Sequence, residues 1–323
     1  MIFYSPRASS IIYNFIKSNA SNGYYLLPVN ICPIVPLIFK KANIAFKLVD
    51  IEKVTLCINQ KKTLLHAKDK NCIGLLYAYT YGIQYPIDSF FNTLKKINNN
   101  FIIIEDKCLC VPSFKIEDTS EYADITIYST GYAKFLDLGY GGFGICNDNI
   151  KYSVHRTNFI NKHFQNTTNG YKKALASNIK FNNLHQNWLD NREFNLHEID
   201  YKKDVCKGII EMTHHKSKIN QVYRNNLSNS IIINPNHENK PSWRFNIRVS
   251  KKEELLKEIF KNKLFASSLY RRIDGVFTET IISAPIAELL QKEVVNLFND
   301  KYYTDDMAKK TCEIINNHIS KYN

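Results

Sequence analysis

The stretch ADITIYSTGYAKFLDLGYGGFGICND, residues 123–148, decides the fold. Ile125-Thr126-Ile127-Tyr128 alternates β-branched and aromatic side chains and stops at Ser129-Thr130-Gly131, which predicts a short strand entering a turn. Lys134 follows, then a glycine-punctuated turn, Gly139-Tyr140-Gly141-Gly142, and a second short strand over Phe143–Cys146. A lysine between two buried strands is unusual, because its ammonium is rarely buried unless it is paired or covalently bonded. Desolvation and nearby cationic groups would strip its proton and make it a nucleophile.

Working outward, Ser5-Pro6-Arg7-Ala8-Ser9-Ser10 precedes Ile11, Ile12, Phe15 and Ile16 at helical spacing. This predicts a helix whose first turn, at Arg7-Ala8, presents free N–H groups suited to a phosphate. Strands are expected at Tyr24–Pro28, Ala45–Asp50 and Leu75–Tyr79, with helices from Ile34 and from Pro86-Ile87-Asp88 through Lys96. Phe101–Ile104 is continuously apolar, as in a central parallel strand buried on both faces. It ends in Glu105-Asp106, at the edge where open α/β sheets bind ligands. Residues 151–193 are polar and weakly periodic and read as loops and short helices. A long helical segment runs from Phe194 to about Leu227. Beyond residue 228, strands are expected at 231–233, 243–249 and 265–270, and helices at 252–261, 287–298 and 304–318.

These segments resemble the DegT/StrS family of pyridoxal-phosphate (PLP) nucleotide-sugar aminotransferases. The likeness is carried by Ser129 and Lys134 with Gly141-Gly142, by Glu105-Asp106, by LLPVNICPIV (26–35), and by APIAELLQKEVVNLF (284–298). It covers nearly the whole chain and is weakest across 151–193. It implies an α/β fold of the aspartate-aminotransferase type: a three-layer large domain with a mostly parallel sheet over 1–227, and a small α+β domain over 228–323.

By the same resemblance Lys134 holds the cofactor as a Schiff base, and Asp106 keeps the pyridinium nitrogen protonated so that the ring accepts electrons. Ser129, Arg7 and Ala8 hold the phosphate, and Cys32 covers one face of the ring. Asn195 reaches the phosphate of a second subunit, which implies a homodimer with sites at the interface. Arg244, in a strand, can grip a carboxylate or diphosphate bidentately, and Tyr270 is a candidate for the sugar site. The implied activity is transfer of an amino group, usually from glutamate, to a nucleotide-linked keto-sugar in cell-surface polysaccharide or related amino-sugar biosynthesis. Three features depart from the family: Pro6 in place of glycine, a start close to the chain terminus, and Leu109 in place of glutamine. They leave two alternatives open, a PLP enzyme acting on a non-sugar carbonyl and a non-catalytic paralogue serving as a partner subunit.

Composition bounds these readings. The chain has 323 residues, 44% hydrophobic and 23% charged, as expected for a globular protein with a large core. Its net charge of +13 is spread over isolated pairs such as Lys61-Lys62, Lys172-Lys173 and Lys251-Lys252, without an arginine-rich arm. That pattern argues against nucleic acid and suits a phosphorylated cofactor and a nucleotide-diphosphate substrate. The eight cysteines form no C-x-x-C pair, which points to reduced thiols and no metal site. Cys108 and Cys110 are expected on one side of a strand. No signal peptide is recognised and no apolar run reaches about 18 residues, so a cytoplasmic protein without a membrane span is expected.

Overall fold

The computed structural model describes residues 1–147, 150–194, 197–234 and 241–322. In chain order the first unit comprises β1 (Ile2–Ser5), α1 (Ala8–Ser18), β2 (Tyr24–Pro28), α2 (Ile34–Ala42), β3 (Ala45–Val49), α3 (Gln60–His66), β4 (Cys72–Ala78), α4 (Asp88–Ile97), β5 (Ile102–Asp106), β6 (Ile125–Ser129), β7 (Gly142–Cys146), α5 (Asn161–Ser177) and α6 (Glu198–Asn226). The strands form a 7-stranded sheet in the order β1-β7-β6-β5-β4-β2-β3. Neighbours from β6 to β3 are parallel, and β7 runs antiparallel to both β6 and β1.

Adjacent residues of one strand point to opposite faces, and here both faces are covered. Leu27, Leu76 and Ile104 pack under α1 and α2, whereas Leu26, Leu75 and Ile103 pack under α4. The result is the expected three-layer α/β arrangement. On the β1–β7 side, Tyr128, Phe143 and Ile145 meet Tyr201, Val205 and Met212 of α6.

The remaining elements are β8 (Phe245–Arg248), α7 (Lys252–Lys261), β9 (Ala266–Ser267), α8 (Pro285–Glu293), β10 (Val294–Leu297) and α9 (Asp305–Tyr322), with an antiparallel sheet ordered β8-β10-β9. Ile219 and Tyr223 of α6 belong to the core of this second sheet. Ile273, Val276, Phe277, Ala287 and Leu290 pack back into the core of the large sheet.

Several sequence expectations are corrected. The helix expected over 287–298 ends at Glu293, and Val294–Leu297 is a strand. Leu290, Val294 and Leu297 keep a helical spacing, but the β-branched pair Val294-Val295 finds a partner strand in β8, and that pairing prevails. Residues 231–233 form no strand, only a bridge from Ile232 to Ile247. Residues 151–193 hold the 17-residue α5, anchored through Thr167 and Ala174, where short helices were expected. Cys108 and Cys110 lie beyond the end of β5, in a turn closed by the Cys110 N–H donating to the Lys107 carbonyl.

One close approach places α1 over the sheet. A methyl group on Gly142 would come within 2.6 Å of the Ala8 nitrogen, so the helix start rests directly on the β7 backbone. Gly142→Ala is expected to push the helix off and destabilise the protein by about 1–3 kcal/mol. Urea denaturation of the two proteins checks this, and an unchanged midpoint would contradict it.

Candidate active site

The parallel strands β2, β4, β5 and β6 all end at one edge of the sheet. Because β7 is antiparallel, it begins there, and β1 also ends there, where α1 starts. Asn30 and Cys32 thus follow β2, Thr80 follows β4, Asp106 ends β5 and Ser129 ends β6. From β2 the chain moves outward to β3 and then crosses back to β4. The β2/β4 gap is therefore the switch point at which open α/β sheets take ligands.

Lys134 sits in a loop closed at its base by the Thr130 N–H donating to the Gly141 carbonyl (3.2 Å) and the Leu138 N–H donating to the Thr130 carbonyl (2.9 Å). The Asp137 carboxylate accepts the Ala133 and Gly139 amides from within the loop, both at 2.8 Å. Three neighbours hold it from outside. Arg7 Nη1 donates to the Gly139 carbonyl at 3.1 Å, and the Tyr201 hydroxyl meets Thr130 Oγ1 at 2.6 Å. The Trp243 indole N–H donates to the Ala133 carbonyl at 2.6 Å. Ala133 itself has φ +55°, and the buried Phe135 and Leu136 anchor the far side of the lysine.

The lysine opens on a cavity of about 580 Å³ that also takes in Arg7, Ala8, Cys32, Asp106, Ser129 and Gly131. At one end, Ser129 Oγ accepts the Gly131 N–H (3.3 Å), and a methyl on Gly131 would lie 3.5 Å from both Arg7 Nη1 and Ser129 Oγ. In the first turn of α1 the Ser10 N–H donates back to the Arg7 carbonyl (3.0 Å), which leaves the Ala8 end of the helix start towards the cavity, and Arg7 makes no side-chain cap bond. This corner gathers donors and positive charge suited to a phosphate. At the other end, Phe159, Phe164, Tyr171 and Trp188 form an aromatic wall, and Arg192 is paired with Asp190 at 2.8 and 3.0 Å.

A narrow extension of about 30 Å³ joins Lys134, Asp106 and Cys32 to Asn30, Thr80, Leu109 and Tyr270. Burial pushes the Cys32 thiol up while Lys134 draws it down. The Cys108 thiol is raised well above its usual range by burial and then by Asp106. The two thiols pack beside Lys134 and Asp106 as neutral groups.

The acidic pair divides its work by strand alternation. Glu105 faces away from the cavity and is satisfied by the Tyr79 hydroxyl (2.8 Å), Thr126 Oγ1 (2.5 Å) and Lys107 (3.1 Å). Asp106 faces the cavity, with Oδ1 accepting the Cys108 N–H at 2.9 Å.

The residues nominated from sequence at 7, 8, 32, 106, 129 and 134 therefore share one cavity, and Tyr270 lines its extension between the rings of Tyr81 and Trp243. Arg244 does not line either space. Its guanidinium is buried against Phe298 and pairs with Asp300 at 3.0 Å. Asn195 lies outside the described residues. Sequence reasoning passed over Asn30, Trp243 and the aromatic wall. The wall left a trace in Phe164, Thr168 and Tyr171, at helical spacing.

No protein-family model and no curated protein sequence matches the chain. Solved structures do. A structure described as a sugar aminotransferase of Streptococcus pneumoniae, in its PLP form, superposes with a TM-score of 0.74 at 13% identity, covering 99% of this chain and 87% of the other. DesI, solved in the presence of its TDP-sugar product, gives 0.74 at 9% identity, covering 99% and 81%. 3-Amino-5-hydroxybenzoic acid synthase gives 0.67 at 11% identity, covering 99% and 86%. This is the fold of the PLP-dependent aminotransferases.

Behind the lysine loop of this aminotransferase fold lies a second, fully buried lysine. Lys216 Nζ donates to the Trp243 carbonyl (3.0 Å) and to Asn299 Oδ1 (2.9 Å), over the Phe135 ring. Burial, and then Arg244, pull it down to about 7. Between pH 7 and 10.5 the unfolded chain keeps this proton while the folded chain has shed it, so stability rises with pH across that window. Relative to Lys216→Met, the wild type should gain about 1–2 kcal/mol from pH 7 to 9. Parallel stability curves for the two proteins over that range would disprove the assignment.

Proposed function

We propose that the chain is a PLP-dependent aminotransferase of the DegT/StrS type, passing an amino group from a donor such as glutamate to a nucleotide-linked keto-sugar. The observation that carries this reading is the convergence of Lys134, Asp106 and the Arg7–Ala8–Ser129–Gly131 corner on one cavity of the shared fold. The donor set suits PLP: an amine for its aldehyde, a carboxylate for its ring nitrogen, and a helix start, a guanidinium and a hydroxyl for its phosphate. When bound, the cofactor supplies an electron-accepting ring and an aldehyde that bonds to amines.

Arg7, the Ala8 end of α1 and Ser129 bind the phosphate and fix one end of the ring. Asp106 holds a proton on the ring nitrogen, and the strand end that carries it is pinned by its bond from the Cys108 N–H. Cys32 bounds the ring on the α2 side. With the cofactor bound, the Lys134 amine would be the base that carries a proton from the donor's α-carbon to the cofactor's aldehyde carbon, and in the second half-reaction from that carbon to the acceptor carbon that receives the amino group. The apolar wall keeps bulk water away from that transfer.

The finer parts of the proposal have separate support. A homodimer with sites at the interface fits Tyr132, 80% exposed beside Lys134, and Ile210, 72% exposed on α6. No helix among the described residues is long and apolar enough to cross a membrane, and a cytoplasmic setting is part of the proposal. The positive net charge, and the likeness to DesI solved in the presence of its TDP-sugar product, support a nucleotide-linked acceptor for polysaccharide or amino-sugar synthesis. A second reading, a non-sugar carbonyl acceptor, is favoured by the aromatic wall and by Arg192 and Arg244 being already paired.

Purified protein incubated with PLP should be yellow, and borohydride should attach the cofactor irreversibly to the Lys134 peptide. Glutamate should bleach the visible band. Lys134→Ala should abolish the attachment and lower amino transfer by about 10²–10⁴-fold. A protein that stays colourless with PLP would overturn the proposal. A panel of nucleotide-linked keto-sugars and aromatic or cyclic ketones then separates the two acceptor readings.

A further inference from the structure

The side chain of Asn30 has no evident structural work to do. It is 1% exposed, and neither its amide nitrogen nor its carbonyl oxygen has a hydrogen-bond partner. Leaving a buried amide unpaired costs on the order of 1–3 kcal/mol for each group. A leucine-like side chain would fill the same place at no such cost. Such a residue is explained when a ligand or an ordered water completes it.

Its place in the fold narrows the choice. Asn30 lies two residues past β2 at the switch point and lines the narrow extension with Lys134, Asp106 and Tyr270. The lysine and the aspartate are common to the extension and the main cavity. Arg7, Ala8, Ser129 and Gly131 line the main cavity alone. A pyridine ring strung between Asp106 and Lys134 has two edges, one bearing the phosphate arm and the other the ring hydroxyl. With the phosphate donors on the main-cavity side, the extension faces the hydroxyl edge. Leu109 is apolar, and of the described side chains lining the extension Asn30 is the one whose buried polar atoms both lack a partner.

We propose that Asn30 is a further cofactor-binding residue, its amide nitrogen donating to the ring oxygen beside the carbon that Lys134 engages. This rests on the PLP reading above and adds a contact to it. A donor there stabilises the ionised oxygen, and with it the coplanar, electron-accepting form of the ring.

The test compares wild type with Asn30→Leu and Asn30→Asp, following apo-protein melting, PLP affinity and the pH titration of the visible band. Asn30→Leu removes two unpaired groups, so the apo protein should melt at the same or a higher temperature. Its PLP affinity should nevertheless fall about tenfold or more, and its visible band should titrate at a different pH. Asn30→Asp keeps the shape, loses the donor and adds a like charge, so it should bind PLP more weakly still. If both variants bind PLP as the wild type does, with unchanged spectra, Asn30 serves only a buried water and the proposal falls. If the wild type takes up no PLP at Lys134, the functional reading falls and carries this proposal with it.

Discussion

The interaction on which the rest of the molecule depends is the contact of the α1 start with the corner where β6 hands over to β7. The Gly141 N–H donates to the Pro6 carbonyl at 2.8 Å, Arg7 pairs with Gly141 as a bridge, and Gly142 lies bare beneath Ala8. These contacts fasten the C-terminal end of the lysine loop to the helix that faces the same cavity. An L-residue is disfavoured at position 141, with φ +87°, and is too large at 142. The glycine-punctuated turn is therefore a steric requirement of bringing a helix start, a serine and a lysine to one point.

That requirement explains why the central part of the fold could be read from sequence. Glycines at a close approach, a continuous apolar run for a strand buried on two faces, and an apolar stripe at helical spacing in α1 are all local consequences of packing. Each leaves a mark on the residues that make it. The choice of Asp106 over Glu105 came from the resemblance alone, and the structure supplies its physical reason, since alternation along a strand sends neighbours to opposite faces. Lys107 and Tyr79 take up Glu105, and Asp106 is left to the cavity. Pro6, which departs from the family pattern, is accommodated because its carbonyl, and not its missing N–H, makes the contact.

What sequence did not reveal is set by partners distant in the chain. Val294–Leu297 is a strand because β8 lies beside it, almost fifty residues earlier, and nothing within the segment announces that pairing. α5 carries Gly170, two adjacent threonines and three asparagines, all poor helix formers, and is held by Phe164 and Tyr171 against the large core. Arg244 looked like a ligand-binding arginine because its counter-charge, Asp300, is far along the chain. Once Asp300 and the Phe298 ring are in place, its charge and its flat face are both taken.

The segment leading into the small sheet nevertheless reaches the lysine loop through Arg244's neighbour. Trp243 puts its indole N–H on Ala133, receives Lys216 on its carbonyl, and stacks on Tyr270, which in turn stacks on Tyr81 after β4. Ala133 precedes Lys134 and is held at a φ that a non-glycine residue adopts only when its surroundings impose it. The part of the structure that imposes it includes Trp243, two residues before β8 of the second sheet. Lys216 at about 7 can drop its third proton and still satisfy both acceptors with the two that remain. The strut therefore keeps its geometry on either side of neutral pH, while the charge behind the Phe135 ring changes. The lysine loop thus rests on the large sheet for its shape and on the second sheet for its fixity, which is why neither unit alone accounts for the site.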